Sequence, residues 1–269
     1  MKIIVLIKQV PEMEKVQFDT EKGVINRKSA GVEINPFDLN ALETAVQIKE
    51  EIGGEIIGLS MGPERASESL KEAIARGADE GYLLTDSNFG GSDTIATSNV
   101  LASGIKKIGD FDLIIAGEMT VDGDTAQVGP QVAEFLNIPH ISYVTNLGKI
   151  EKTNLEVTCN IWRGNYKKKI RYPGLITVTK DINTPRLPSF KDKAKARKAT
   201  INELTLEDIK EELTVDKVGI KGSPTRVKNI VIPDPVSRKG EILRGEEKEE
   251  AIKKIYNICI EKNVIEGGK

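Results

Sequence analysis

The sequence predicts an α/β fold in which a parallel sheet carries helices on both faces. Two observations support this prediction. Short β-branched segments alternate with helix-like segments from residue 2 to about residue 145. These short segments also lack the apolar–polar alternation of a half-exposed strand, as expected when both faces of a sheet are covered. Repeated strand–helix–strand units require right-handed crossovers, and such crossovers make the strands parallel.

The predicted elements follow one another in regular order. Strands are expected at residues 2–8, 55–60, 80–85, 111–117 and 140–144, and helices at 37–51, 64–77, 92–108 and about 127–136. Asn35 and Pro36 supply an N-cap and a proline at the first helical position, and Asp38 stands where a capping box needs an acidic residue. Gly77 ends the second helix, and Ser92 or Asp93 caps the third.

The pattern changes after residue 145. Residues 155–179 predict a β-hairpin around Arg163, Gly164 and Asn165. From about residue 200 the elements carry few apolar residues, which favours either a partly disordered tail or an arm packed on another chain. A final amphipathic helix is predicted at 246–263. We therefore divide the chain into an α/β domain, 1–190, and a basic segment with a C-terminal arm, 191–269.

Composition excludes several classes of protein. The chain has 269 residues and a net charge of −2, so no global field favours nucleic acid. It lacks an apolar run of about 20 residues, so membrane insertion is not expected. The N-terminus lacks the flanks of a signal peptide, and we expect a cytoplasmic protein. The basic runs 163–171 and 191–198 are either solvated faces or a patch for an acidic partner.

The reactive side chains are few. Cys159 and Cys259 have no CxxC or Cys/His spacing, which argues against a disulfide framework and a zinc or iron–sulfur site. His140 is the only histidine. It lies in a predicted strand, and we expect it to have a structural role. A Ser–His–Asp or Cys–His catalytic arrangement would have to use this one histidine.

Four loops follow predicted strands and carry small polar residues. They are "NPFD" (35–38), "SMGP" (60–63), "GGSDTIATS" (90–98) and "VDGDTAQVG" (121–129), and neither GxGxxG nor GxxxxGK[ST] occurs. Each loop alone is an ordinary cap or turn. All four fall on the carboxyl edge of one sheet, where such folds bind ligands. Helix-start amides and hydroxyls can bind phosphate there, with Lys8 as a point charge, so we expect a ligand with ribose and phosphate groups.

Several segments together resemble the beta subunit of electron transfer flavoproteins. They are "VLIKQVP", "EINPFDLNALETAVQIKE", "SMGP", "AIARGADEG", "DLIIAGEMTVDGDTAQVGP" and "PRLPSFKDKAKARKA", in order from residue 2 to about 200. The resemblance implies a Rossmann-like nucleotide-binding domain, a β-hairpin and a C-terminal arm around an alpha subunit. With Lys8 and Gly62 added from the loops above, the expected cofactor-binding residues are Leu6, Lys8, Asn35, Pro36, Phe37, Asp38, Met61, Gly62, Thr94, Thr97, Asp122, Gly123, Asp124, Thr125, Ala126, Gln127, Val128 and Gly129.

The resemblance also implies a loop that recognises a dehydrogenase. It comprises Pro185, Arg186, Leu187, Pro188, Ser189 and Phe190. Phe190 takes the anchor position that a large aliphatic residue usually fills in the family, and we expect it to be exposed. One departure concerns the hairpin, where "RGNYKKKI" replaces the family's acidic, glycine-containing cluster. The hairpin electrostatics or the partner are therefore expected to differ from those of common members.

The stretch "GSDTIATSNVLA" resembles the electron-bifurcating branch of the family. It implies FAD at this site, with NAD(H) as a substrate nearby. The implied protein is an electron-transfer subunit that passes electrons between NADH, a flavin-containing dehydrogenase and ferredoxin or flavodoxin. One alternative is a non-bifurcating beta subunit that holds structural AMP. Others are a nucleotide-binding stress-response module and an adenine-nucleotide-dependent enzyme, which would need a glycine-rich phosphate loop where this chain has "KQVPEME".

Overall fold

The computed structural model describes residues 1–12, 17–19, 24–26, 31–162, 164–226, 228, 248–262 and 264. The chain divides into two compact units, Met1–Ile230 and Val231–Lys269. The strands are β1 Lys2–Leu6, β2 Gln9–Pro11, β3 Gln17–Asp19, β4 Val24–Asn26, β5 Val32–Ile34, β6 Glu55–Met61, β7 Glu80–Leu84, β8 Leu113–Gly117, β9 His140–Ile150, β10 Asn154–Ile161, β11 Gly164–Arg171, β12 Gly174–Val178 and β13 Asn202–Leu204. The α-helices are α1 Pro36–Ile52, α2 Ser67–Ala75, α3 Thr94–Ile108, α4 Val128–Leu136, α5 Phe190–Ala196, α6 Gly219–Gly222 and α7 Lys248–Glu261.

The first unit is built on a sheet with the strand order β11-β10-β9-β12-β8-β1-β6-β7-β13. Neighbouring strands from β9 to β13 in this order pair in parallel, and β10 pairs antiparallel with β9 and β11. β2 pairs with β5, and β3 with β4, in two small antiparallel sheets. The predicted α/β fold with a mostly parallel sheet and a hairpin is confirmed.

The central strand β1 shows why its sequence lacks alternation. Ile3 and Val5 belong to a core cluster that includes Leu42 of α1. Ile4 belongs to a second cluster that includes Val100 of α3. Successive side chains of a strand point to opposite faces, and here each face meets a helix. Both sets are therefore apolar, and the strand forms a continuous apolar run.

The strand β12 does not belong to the hairpin, contrary to the prediction for residues 155–179. The structure limits the hairpin to β10 and β11, and Arg163, at the centre of the predicted turn, lies outside the described residues. β12 instead lies between β8 and β9 and pairs in parallel with both. All five of its residues are buried. A short apolar run next to a hairpin is compatible with either assignment, and only the pairing register separates them.

Residues 202–225 belong to the first unit, whereas composition favours a tail or an arm from about residue 200. β13 pairs with β7 at the edge of the sheet. Ile209, Leu213 and Val218 are buried in the cluster that includes Val100. A few buried residues are enough to attach this segment to an existing core. The division of the chain at residue 190 stays a prediction.

The second unit contains α7. Ile252, Ile255, Tyr256 and Ile258 are exposed on this helix, and its described residues include none that are buried. An apolar stripe that stays exposed to water contributes little to the stability of its helix. The stripe is therefore available for burial against another protein surface. No helix within the described ranges combines the length and apolarity that a membrane crossing requires.

Candidate functional site

A cavity of about 1100 Å³ lies at the carboxyl edge of the parallel strands. Its walls come from the ends of β1, β6, β7 and β8 and from the loops that follow them. Most of the predicted cofactor-binding residues line it: Leu6, Lys8, Asp38, Met61, Gly62, Thr94, Thr97, Asp122, Gly123, Thr125, Ala126, Gln127, Val128 and Gly129. Asn35, Pro36, Phe37 and Asp124 are outside its lining. The structure therefore brings the four loops together, as expected for strands of one parallel sheet.

Asn35 supports the cavity from behind. It is fully buried, and its side chain makes no cap hydrogen bond to α1. Its Nδ2 donates to the Met119 carbonyl oxygen at 2.9 Å, and its Oδ1 accepts from the Val121 amide at 3.2 Å. Asn35 is the N-cap residue of α1 and Pro36 opens the helix, as predicted, but the expected side-chain capping hydrogen bond is absent. Asn35 instead fixes residues 119–121, the entry of the loop that forms one wall of the cavity.

Asp38 also departs from the predicted capping box. Its Oδ2 accepts the backbone N–H of Lys8 at 2.8 Å. Burial raises the pKa of Asp38 to about 7, although hydrogen bonds from the Asn35 side chain and from the Lys8 and Gly117 amides oppose the rise. A Cβ at Gly117 would lie 2.6 Å from Asp38 Oδ1, so glycine is required for this close approach. Asp38 thus joins the ends of β1 and β8 beneath the cavity.

Lys8 is already paired with a carboxylate. Its Nζ lies 2.7 Å from Asp122 Oδ1 and 2.9 Å from Oδ2, and it donates to Thr120 Oγ1 at 3.3 Å. Although burial opposes the change, hydrogen bonding and attraction to Lys8 leave the pKa of Asp122 below its usual value. The charge of Lys8 is therefore largely neutralised by Asp122. In this arrangement Lys8 holds the loop to β1 rather than presenting a free cation.

The loop from Asp122 to Gly129 lines the cavity at every position except Asp124. Asp124 and Ala126 adopt left-handed conformations, with φ of 48° and 53°. Among the described residues, no acceptor receives a hydrogen bond from the amide of any residue from 125 to 129. The first turn of α4 also lacks a side-chain cap. Successive amides with alternating backbone conformations form a concave anion site, and the helix dipole adds to it.

Thr94 and Gln127 join the two polar loops across the cavity. Thr94 Oγ1 donates to Gln127 Oε1 at 2.8 Å. Thr94 is the first residue of α3, whose N-cap is Asp93 as predicted. Asp93 Oδ1 accepts the amides of Ile95 at 3.0 Å and Ala96 at 3.1 Å. The start of α3 is therefore capped by its own carboxylate, whereas the start of α4 is open.

Part of the cavity wall was not predicted from the sequence. Val10 and Pro11 of β2 and Arg65 in the 3₁₀ turn Glu64–Ala66 line it. β2 has only three residues and pairs with β5, which follows much later in the chain, so no local periodicity indicates it. Glu118 also lines the cavity, and burial, with repulsion from Asp181, raises its pKa. Its position directly after β8 is the signal that could have identified it.

The predicted partner-recognition residues lie apart from the cavity. Arg186 is clamped to α1: its Nε lies 2.8 Å from Glu43 Oε2, and its Nη1 lies 2.6 Å from Glu50 Oε1. Arg76 donates to the Arg186 carbonyl oxygen at 2.7 Å. Leu187 is 86% exposed and Phe190 is 93% exposed. Pro185 and Pro188 are half-buried, and Ser189 caps α5. The clamp therefore holds a segment whose two large apolar side chains face solvent.

Comparisons with known proteins identify the family. Residues 22–209 match the family model described as the electron transfer flavoprotein domain. The chain belongs to the electron transfer flavoprotein family. It is 43% identical over 250 residues to an electron transfer flavoprotein subunit beta of Thermoanaerobacterium thermosaccharolyticum, across 93% of this chain and 94% of the relative. It is 40% identical over 266 residues to the caffeyl-CoA reductase-Etf complex subunit CarD of Acetobacterium woodii, across 98% of this chain and 100% of the relative.

A third relative is the acryloyl-CoA reductase electron transfer subunit gamma of Anaerotignum propionicum, at 36% identity over 271 residues, across 98% of this chain and 100% of that relative. The predicted resemblance to the beta subunit of electron transfer flavoproteins is confirmed. Membership implies electron transfer in company with an alpha subunit and redox partners. Within the described residues, no group of three or more His, Cys, Asp or Glu side chains is placed to hold a metal ion.

Proposed function

We propose that this beta subunit binds FAD in the cavity at the carboxyl edge and passes electrons between NAD(H) and its partner proteins by flavin-based bifurcation. The bound flavin would supply the acceptance and release of one or two electrons. The chain's own residues bind and orient it. Asp122 and Lys8 fix one loop wall, Thr94 and Gln127 join the loops, and the amides of 125–129 face the ligand.

The open amides of residues 125–129 are the observation that carries this proposal. A buried or cavity-facing amide without an acceptor is unfavourable, and a phosphate oxygen satisfies it. Five such amides stand in sequence before and within the first turn of α4. Lys8 is already neutralised, so the amides and the helix dipole would carry the recognition of a pyrophosphate. Asp122 faces Lys8 rather than repelling the ligand.

The cavity size favours FAD over AMP. Ligand pockets commonly enclose about 300–1,000 Å³. The cavity here, at about 1100 Å³, lies just above that range and extends from β2 and Arg65 to the start of α4. A mononucleotide would fill only part of it. An enzyme with a phosphate loop after the first strand is disfavoured, because β1 is followed within three residues by β2 rather than by a loop and helix.

The names of two relatives support an acyl-CoA reductase or dehydrogenase as the electron-transfer partner. One relative is named as part of a caffeyl-CoA reductase-Etf complex and another as an acryloyl-CoA reductase electron transfer subunit. We propose that the segment 185–190 docks on such a flavin-containing enzyme through Leu187 and Phe190. Ferredoxin or flavodoxin as the low-potential acceptor is a prediction from the resemblance, and the cytoplasmic location is a prediction from the sequence.

The test is to purify the heterodimer with its alpha subunit and count the flavins. Nucleotides released by denaturation are separated by HPLC and quantified against protein. Two FAD per heterodimer, with one lost when Thr125 and Thr94 are both replaced by valine, is the expected result. One FAD and one AMP per heterodimer would overturn the proposed cofactor and support plain electron transfer. NADH-dependent reduction of a ferredoxin in the presence of an enoyl-CoA acceptor then tests bifurcation.

A further inference from the structure

A short segment outside the cavity is bonded to its rim. We name residues Val218 to Thr225, which include α6, the arm root, because the chain continues from it into the second unit. Val218 is buried in the core cluster that includes Val100 of α3. Ile220 lies over Gly91, since a Cβ on Gly91 would be 2.6 Å from Ile220 Cγ1. The arm root therefore packs against the loop that leads into α3.

Hydrogen bonds connect the arm root to two consecutive rim residues. Ser92 Oγ accepts the Gly219 amide at 3.1 Å. Ser223 Oγ accepts the Asp93 amide at 2.8 Å and donates to the Gly219 carbonyl oxygen at 2.6 Å. Asp93 Oδ2 accepts the Thr225 amide at 2.9 Å and the Thr225 hydroxyl at 2.7 Å. The arm root and the rim thus share one continuous hydrogen-bond network.

Asp93 divides its carboxylate between two tasks. Oδ1 caps α3 by accepting the Ile95 and Ala96 amides, and Oδ2 is occupied by Thr225. A capping carboxylate with one oxygen held from outside has a fixed orientation, so the first turn of α3 is fixed with it. Ser92, Asp93, Thr94 and Thr97 all line the cavity. The short stretch that begins α3 therefore lines the cavity and is also hydrogen-bonded to the arm root.

We propose that Ser223 and Thr225 are positioning residues for the cavity: they hold Asp93 so that α3 presents Thr94 and Thr97 to a bound nucleotide. This inference rests on the proposed function, since it requires a nucleotide in the cavity. Thermodynamic linkage makes the effect reciprocal, because a ligand that favours the held rim also favours the held arm root. Nucleotide binding is therefore coupled to the arm root.

The test uses the heterodimer and conservative changes at Thr225. Thr225→Val keeps the shape and removes the hydroxyl that donates to Asp93, and Thr225→Ser restores a hydroxyl. Thr200→Val is the matched control, because Thr200 is exposed and lies outside the cavity and the arm root. Affinities for FAD and for AMP are measured on heterodimer stripped of nucleotide. Amide hydrogen exchange at residues 218–225 is followed with and without saturating nucleotide.

The parent is expected to bind nucleotide and to show slower exchange in the arm root when loaded. Thr225→Val should bind about threefold to tenfold more weakly and lose that protection, since one hydrogen bond to a carboxylate is removed. Thr225→Ser should restore both, and Thr200→Val should match the parent. Equal affinity and equal protection in parent and Thr225→Val would overturn the positioning role while leaving the proposed function intact. Failure of the parent to bind either nucleotide would overturn both.

Discussion

At the scale of single residues, Asp38 provides a strong dependence of stability on pH. Its pKa is raised by burial to about 7 in the folded chain, from 3.8. A raised carboxyl pKa means that the folded state binds the proton more tightly than the unfolded state. The free energy of unfolding therefore falls as pH rises from about 4 to about 7, and the loss is complete above the folded pKa. The shift corresponds to a change on the order of 4 kcal/mol.

Asp38→Asn removes this titration. We expect the free energy of unfolding of the variant to lose its negative slope between about pH 4 and about pH 7. The variant should therefore become more stable relative to the parent as pH rises. Urea unfolding of both proteins at several pH values measures the difference. Asp110→Asn, at an exposed position, serves as the control and should follow the parent curve. Parallel curves for the parent and Asp38→Asn would show that Asp38 does not titrate in this range.

Thr125 tests the proposed phosphate site. It lines the cavity, and none of the other described residues hydrogen-bonds to its side chain. Thr125→Val preserves the shape and deletes one donor to a charged acceptor, worth roughly 1.5–3 kcal/mol. Flavin affinity of the heterodimer should fall about tenfold to a hundredfold. Retention of FAD after gel filtration and a titration of stripped protein provide the measurement, with Thr200→Val as control. Unchanged flavin affinity would show that the Thr125 hydroxyl does not bind the phosphate.

Individual residues of the site are only partly predictable from the sequence. The positions at strand ends can be predicted because a parallel sheet brings those ends together. The hydrogen-bond partners of the side chains cannot be predicted in this way. Asn35 and Asp38 match a local capping pattern, but each bonds to residues near the ends of β1 and β8. Local patterns carry no information about which long-range acceptor or donor competes for a side chain.

At the scale of elements, the clamp of Arg186 on α1 decides how the segment 185–190 is held. Glu43 is buried and accepts from Arg186 Nε and Nη2 at 2.8 and 3.0 Å. Arg186→Met would leave the Glu43 carboxylate without its cation, and such losses are strongly destabilising when buried. Because Arg186 is partly exposed, we expect a loss of about 2 kcal/mol in unfolding free energy. Thermal and urea unfolding of the heterodimer measure it.

Phe190→Ala is the matched comparison for this clamp. Phe190 is 93% exposed, so its removal should leave unfolding and flavin content unchanged. It should weaken association with the partner dehydrogenase by about 2 kcal/mol if it is the docking anchor. Surface plasmon resonance against the dehydrogenase separates the two variants. Equal dehydrogenase affinity of Phe190→Ala and the parent would show that Phe190 is not the docking anchor. Leu187→Ala would then be the next variant to measure.

Helices with strong periodicity are well predicted, and strands of three residues are not. The bounds of α1 and α3 differ from the predicted bounds by at most two residues. β2 has three residues and leaves no periodicity to detect, β12 is an apolar run that fits a hairpin strand as well as a parallel one, and β13 again has only three residues. Their place is set by pairing with β5, β9 and β7. Long-range register therefore decides what local sequence leaves open.

At the scale of the whole molecule, the division of roles follows the two units. The first unit contains the sheet, the cavity and the clamped segment, and its core accounts for the apolar runs of the sequence. The second unit has no described residue that is buried. This agrees with the composition of the C-terminal region, whose elements carry few apolar residues. A helix of 14 residues with an exposed apolar stripe gains stability chiefly from a surface that covers the stripe.

We therefore predict that the C-terminal arm, here residues 231–269, packs on the alpha subunit. Limited proteolysis of the isolated chain should cut first between residues 231 and 269, and the heterodimer should protect these sites.

Ile255→Glu places a charge in the exposed stripe of α7, and we expect it to weaken subunit association by at least about tenfold, because burying an unpaired charge is costly. Asn257→Glu is the control, since at about 100° per residue it lies on the opposite side of the helix. Sedimentation at several concentrations measures both affinities. Equal protection of the arm in the isolated chain and the heterodimer, or equal affinity of Ile255→Glu and Asn257→Glu, would show that this stripe does not meet the alpha subunit.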